Sequence, residues 1–79
     1  MNDLILFLDR LRSAQEQQAK NHRIMEDYYL KMDDENERRR SMLNRSWAET
    51  KERNASTFRR IIDVLKYAQS IPQDHLIGG

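Results

Sequence analysis

Apolar residues recur along this chain in patches separated by polar reaches, and within each patch they stand three and four positions apart. Leu4, Leu8 and Leu11 form the first patch, widened by Ile5 and Phe7. Residues 15–23 are polar, and the next patch is Ile24, Met25, Tyr28, Tyr29 and Met32. A charged run follows at 33–40. Leu43 and Trp47 then sit one turn apart, and a last patch joins Phe58, Ile61, Ile62, Leu65 and Ala68, with Val64 and Ile71 beside it. Offsets of three and four mark one face of an α-helix. The pattern predicts helix 1 over 3–32, a turn at 33–36 and helix 2 over 37–71.

Breaker residues agree. The one proline is Pro72 and the two glycines are Gly78 and Gly79, so residues 1–71 lack the strongest interrupters of regular structure. Asn2 or Asp3 can cap the first helix. Asp34, followed three positions later by Glu37, has the shape of a capping box for the second. A further break near residue 54 would use Asn54-Ala55-Ser56-Thr57 as a start signal. Pro72 ends the helix, and 72–79 reads as a flexible tail. The residue types show no internal repeat.

The order of patches is a mirror: apolar, polar, apolar, charged, apolar, polar, apolar. Folding at about residue 34 brings 4–11 opposite 58–65 and sets polar reach against polar reach. The expected fold is therefore all-α, an antiparallel hairpin of two long helices that assembles into a helical bundle or coiled coil. The alternatives are one continuous coiled-coil helix, about 105 Å long for 70 residues at 1.5 Å per residue, and a three-helix arrangement.

Charge sharpens the picture. The net value of +1 conceals nine acids and five bases in residues 1–37 (−4), against nine bases and three acids in residues 38–71 (+6). An acidic half along a basic half suits the antiparallel arrangement. Hydrophobic residues are only 38% and charged residues 34% of 79 positions, so one hairpin has little to bury. A core this small rarely supplies more than about 3–5 kcal/mol. With no cysteine to cross-link it, association is the expected remedy. The lack of cysteine, of a secretory leader and of an apolar stretch of about 18–20 residues leads to the expectation of a cytoplasmic protein with no membrane span.

Candidate chemistry is sparse. There is no Gly-rich phosphate loop, no HExxH and no cysteine nucleophile, so the chain is expected to be non-enzymatic and to carry no cofactor. His22 and Glu26 stand at i, i+4 but make an incomplete metal site, and solvated pairs at that offset are common. Arg38, Arg39, Arg40 and Arg45 with Trp47 form the one nucleic-acid candidate. Interspersed acids and a pI of about 8.1, below the ~9 of dedicated binders, make that the second choice. Arg38-Arg39-Arg40-Ser41 also has the shape of a basophilic kinase site, and Asn54-Ala55-Ser56 that of a glycosylation sequon.

The first choice is a protein-protein interaction module: an adaptor, assembly subunit or small inhibitor binding another protein or itself. Leu4, Phe7, Leu8 and Leu11, and Phe58, Ile61, Ile62 and Leu65, have the spacing of helix-docking anchors. Tyr28, Tyr29 and Trp47 are large residues with few neighbours to cover them. Tyr28 and Tyr29 diverge by about 100° and cannot both enter one narrow seam. In the mirrored register Trp47 falls beside residue 21, among polar neighbours, where a hairpin alone shelters it poorly.

Overall fold

A computed structural model describes residues 2–32 and 34–71. It contains two helices, α1 (Asn2–Leu30) and α2 (Glu35–Ser70), packed against each other as an antiparallel hairpin. Cross-helix pairs fix the direction: Tyr29 lies beside Arg40, His22 beside Asn44 and Trp47, and Glu16 beside Arg59. As one number falls the other rises. The long dimension is 65 Å, far short of the ~105 Å of an unbroken helix, which removes the continuous-helix alternative. The three-helix alternative falls too, because α2 runs through residue 54 without interruption.

The reversal is short. Lys31 N–H donates to the Asp27 carbonyl and Met32 N–H to that of Tyr29, both at 3.2 Å, tightening the end of α1. Arg38 N–H donates to the Asp34 carbonyl at 2.8 Å, opening α2. Asp34 occupies the N-cap with extended backbone (φ −120°, ψ 144°), yet its side chain makes no capping hydrogen bond. The capping box is not formed. Glu37 instead turns to Arg40, 4.0 Å away. At the far end Ile71 is extended (φ −78°, ψ 125°), the conformation that the following Pro72 imposes on its predecessor. Pro72 and the 72–79 tail, with His75, lie outside the described residues.

Burial follows a strict repeat that the residue types conceal. The only positions of α2 that are not exposed are Glu37, Ser41, Asn44, Ala48, Lys51, Ala55, Phe58, Ile62 and Leu65. Their spacing alternates four and three, the 3.5-residue period of a coiled-coil seam. In α1 the same alternation runs through Ile5, Leu8, Arg12, Gln15, Ala19, His22, Glu26 and Tyr29. Leu11, Glu16 and Arg23 are half-buried beside it. The stripe expected from Leu4, Leu8 and Leu11 is corrected here: Ile5 and Leu8 enter the seam, while Leu4 stays outside. A period of 3.5 carries 5, 8, 12 and 15 to the partner, whatever their polarity.

The seam is consequently thin. Its fully buried residues are Ala19, Ala48, Ala55, Ser41, Asn44, Glu26 and Ile62, so Ile62 is the one large aliphatic side chain fully enclosed among the described residues. Small residues at four of these positions allow the helices to approach closely. Polar members are bonded: Ser41 Oγ donates to the Glu26 carbonyl at 2.9 Å, and Asn44 Nδ2 to the Arg40 carbonyl at 2.9 Å. No buried side-chain polar atom is left without a partner among the described residues.

Candidate protein-docking face

A seam of this kind divides the hairpin into two broad faces. Residues following the second member of each seam pair fall on one side: Asp9, Glu16, Arg23 and Leu30 from α1, and Arg45, Glu52, Arg59 and Lys66 from α2. Five of them, Glu16, Arg23, Arg45, Glu52 and Arg59, take part in ion pairs across the helices. Arg23 Nη2 donates to Glu52 Oε1 at 2.6 Å, and Arg59 to Glu16. Arg45 Nε reaches Glu26 Oε2 at 2.5 Å, and Arg12 spans Asp9 (2.9 Å) and Glu16 (2.6 Å). The carboxyls of Asp9 and Glu16 are held below the usual range, first by hydrogen bonding to Arg12. That of Glu26 is lowered first by Arg45, with burial opposing and Arg23 assisting. An open groove of about 650 Å³ on this face is lined by Ala19, Lys20 and Ile24 together with the ion-paired Glu16–Arg59 and Arg23–Glu52.

The opposite face is built from residues preceding each seam pair and those flanking them. From α1 come Leu4, Phe7, Leu11 and Ala14, then Gln18, Asn21, Met25 and Tyr28. From α2 come Leu43, Trp47, Thr50 and Asn54, then Thr57, Ile61, Val64 and Ala68. None of these sixteen is charged, in a chain that is 34% charged overall; Arg40, which precedes the pair Ser41–Asn44, adds one charge at the turn end of the face. Eight of the fourteen exposed large apolar side chains lie here: Leu4, Phe7, Met25, Tyr28, Leu43, Trp47, Ile61 and Val64. Contacts along its inner edge tie the helices together. Asn54 Nδ2 donates to Gln15 Oε1 at 3.2 Å, and the His22 and Trp47 rings meet at 5.4 Å, tilted 52°.

The expected partner-binding residues are thus sorted into two roles. Leu8, Tyr29, Phe58, Ile62 and Leu65 are used inside the hairpin. Leu4, Phe7, Tyr28, Trp47 and Ile61 remain exposed, and Leu11 borders them. Trp47 keeps 48% of its surface exposed. Tyr28 and Tyr29 diverge as their adjacency requires, Tyr29 half-buried under Arg40 (5.9 Å to the ring centroid) and Tyr28 outside, their rings edge-on at 5.4 Å. Met25, Leu43 and Val64 belong to the face without being among the anchors expected from spacing; reading outward from the 3.5-residue seam finds them.

The basic candidates are dispersed. Consecutive Arg38, Arg39 and Arg40 point about 100° apart. Arg39 pairs with Glu35 (3.3 Å), Arg40 with Glu37 and the Tyr29 ring, and Arg45 with buried Glu26. Ser41 is 1% exposed and bonded to Glu26, which removes it as a kinase target in the folded hairpin. His22 Nδ1 lies 3.0 Å from Asn44 Oδ1, and Glu26 is taken by Arg45 and Arg23, so the i, i+4 pair is committed to other partners. No helix among the described residues is long and apolar enough to cross a membrane.

No family model, curated protein or solved structure matches the chain.

Proposed function

We propose that the chain is a non-enzymatic protein-protein interaction module, an adaptor, assembly subunit or small inhibitor that works by presenting its uncharged broad face to another protein or to itself. The single observation that carries this reading is the segregation of the hairpin surface. Ion pairs occupy one face, while Leu4, Phe7, Tyr28, Trp47 and Ile61 stand exposed on the other. Exposed clusters of large apolar side chains of this kind mark interaction sites. A thin internal seam makes external burial the main remaining source of stability.

The second reading, a nucleic-acid regulator using Arg38, Arg39, Arg40 and Arg45, is favoured only by the basic half of the chain. Two measurements separate them. Sedimentation at micromolar concentration is expected to show association that Trp47→Glu or Ile61→Glu weakens. A gel shift on DNA or RNA that salt abolishes, and that Ala at the four arginines removes, would favour the second reading instead.

A further inference from the structure

We infer that the occupant of the broad uncharged face is a second copy of this chain, stacked face to face with its turn at the opposite end to complete a four-helix bundle. This rests on the interaction reading above and names its partner. Size is sufficient. The hairpin measures 65 × 21 × 11 Å, and its broad face exceeds the ~800 Å² per partner of a standard stable interface. Charge agrees as well. A partner recognised by opposite charge finds only Arg40, at the turn end, beside sixteen uncharged positions, whereas a copy of the same face meets no like charge when the two Arg40 side chains are kept apart.

Symmetry supplies the strongest reason. A two-fold interface must map onto itself. Here Gln18 and Asn54 form a polar middle between apolar ends, and the spacing about them is even. Leu11 and Met25 stand seven residues either side of Gln18, and Trp47 and Ile61 seven residues either side of Asn54. Turned end for end, α1 lies along α1 of the copy and α2 along α2. Leu11 then meets Met25 of the copy, Trp47 meets its Ile61, and each carboxamide approaches its own equivalent. A carboxamide both donates and accepts, so like pairs with like, and such a polar residue fixes register in helical assemblies.

Arg40 decides the orientation. It precedes the seam residue Ser41 and so flanks this face at the turn end. Turns at the same end would bring Arg40 against its copy; turns at opposite ends separate the two by most of the bundle.

The chain has no cysteine, so single cysteines introduced into it report cleanly. Sedimentation equilibrium is expected to give twice the 9.5 kDa chain mass. Spin labels on Arg39→Cys, an exposed position, are expected about 45 Å apart, from fifteen residues on each side of Asn54 at 1.5 Å per residue. Ile61→Glu is expected to weaken self-association at least tenfold. Ile24→Glu, off this face, should leave it unchanged. If Ile61→Glu unfolds, oxidation of the Asn54→Cys variant carries the test, and a cross-linked dimer is expected far faster than from Ile24→Cys. A label separation under about 25 Å overturns the end-for-end stacking. A dimer indifferent to Ile61→Glu, or an Asn54→Cys variant that cross-links no faster than the Ile24→Cys control, overturns the face. A helical monomer at hundreds of micromolar overturns the second copy but spares the interaction reading. That reading falls instead if face substitutions alter no protein contact and a salt-sensitive nucleic-acid shift appears.

Discussion

Arg45 donates through Nε to Oε2 of Glu26 across the seam at 2.5 Å, linking a half-exposed guanidinium to a carboxylate that is only 6% exposed. Arg23 Nη1 adds a second donor at 3.1 Å. A carboxylate taken from water at this depth depends on its donors. Arg45→Met should therefore destabilise the hairpin by about 1–3 kcal/mol. Glu26→Leu with Arg45→Met together should cost less than Arg45→Met alone, since an apolar pair leaves no buried charge. Urea melts of the single and double variants beside the parent check both.

Acid should unfold the protein through the same group. Glu26, Glu16 and Asp9 have folded pKa values below their ordinary ones, owing first to Arg45, Arg12 and Arg12 respectively. A depressed folded pKa contributes stability that is present above the unfolded value and lost as pH falls toward and through the folded one. With unfolded carboxylates near pH 4, the melting temperature should drop below about pH 4.5. Glu26→Gln should flatten that slope, which thermal melts between pH 2 and 6 measure.

The seam should tolerate neither loss nor gain of volume. Ile62, 5% exposed, is its one large enclosed aliphatic, and Ile62→Ala should cost about 2–4 kcal/mol. Ala48 is completely enclosed, and Ala48→Leu would wedge the helices apart at about 1–3 kcal/mol or more. Circular dichroism melts at one fixed protein concentration would show both; an unchanged midpoint for Ala48→Leu would refute close packing there.

Trp47 gives an optical signal. Half-exposed against His22 in the single hairpin, it should emit near the wavelength of solvated indole when dilute and shift blue on association. Trp47→Ala should cost about 2–4 kcal/mol in association. Emission that ignores concentration would place Trp47 outside the interface.

The hairpin was legible because it rests on features sequence displays openly. Glycine and proline are absent from 1–71, the charge changes sign near residue 37, and the apolar patches mirror one another about the turn. The seam was not. Hydrophobic pattern favours Leu4 and Trp47 over Ala48 and Ser41, yet the helices enclose those two small residues and turn Leu4 and Trp47 outward. Arg12, Gln15, His22 and Lys51 occupy seam positions without looking like core; the polar heads of the first three are met by Asp9 and Glu16, Asn54 and Asn44. The failed capping box has a local cause: Glu37 lies on the seam side of α2, where Arg40 claims it.

The small-residue seam also bears on how much of this protein exists folded at any time. Two helices whose enclosed contacts include only one large aliphatic side chain hold little free energy of their own. If the outer face supplies the remainder, the folded fraction rises with the number of molecules present. A cell diluting or degrading the chain below its dissociation constant would leave the separated copies open to proteolysis first. Abundance itself would then act as the control on activity.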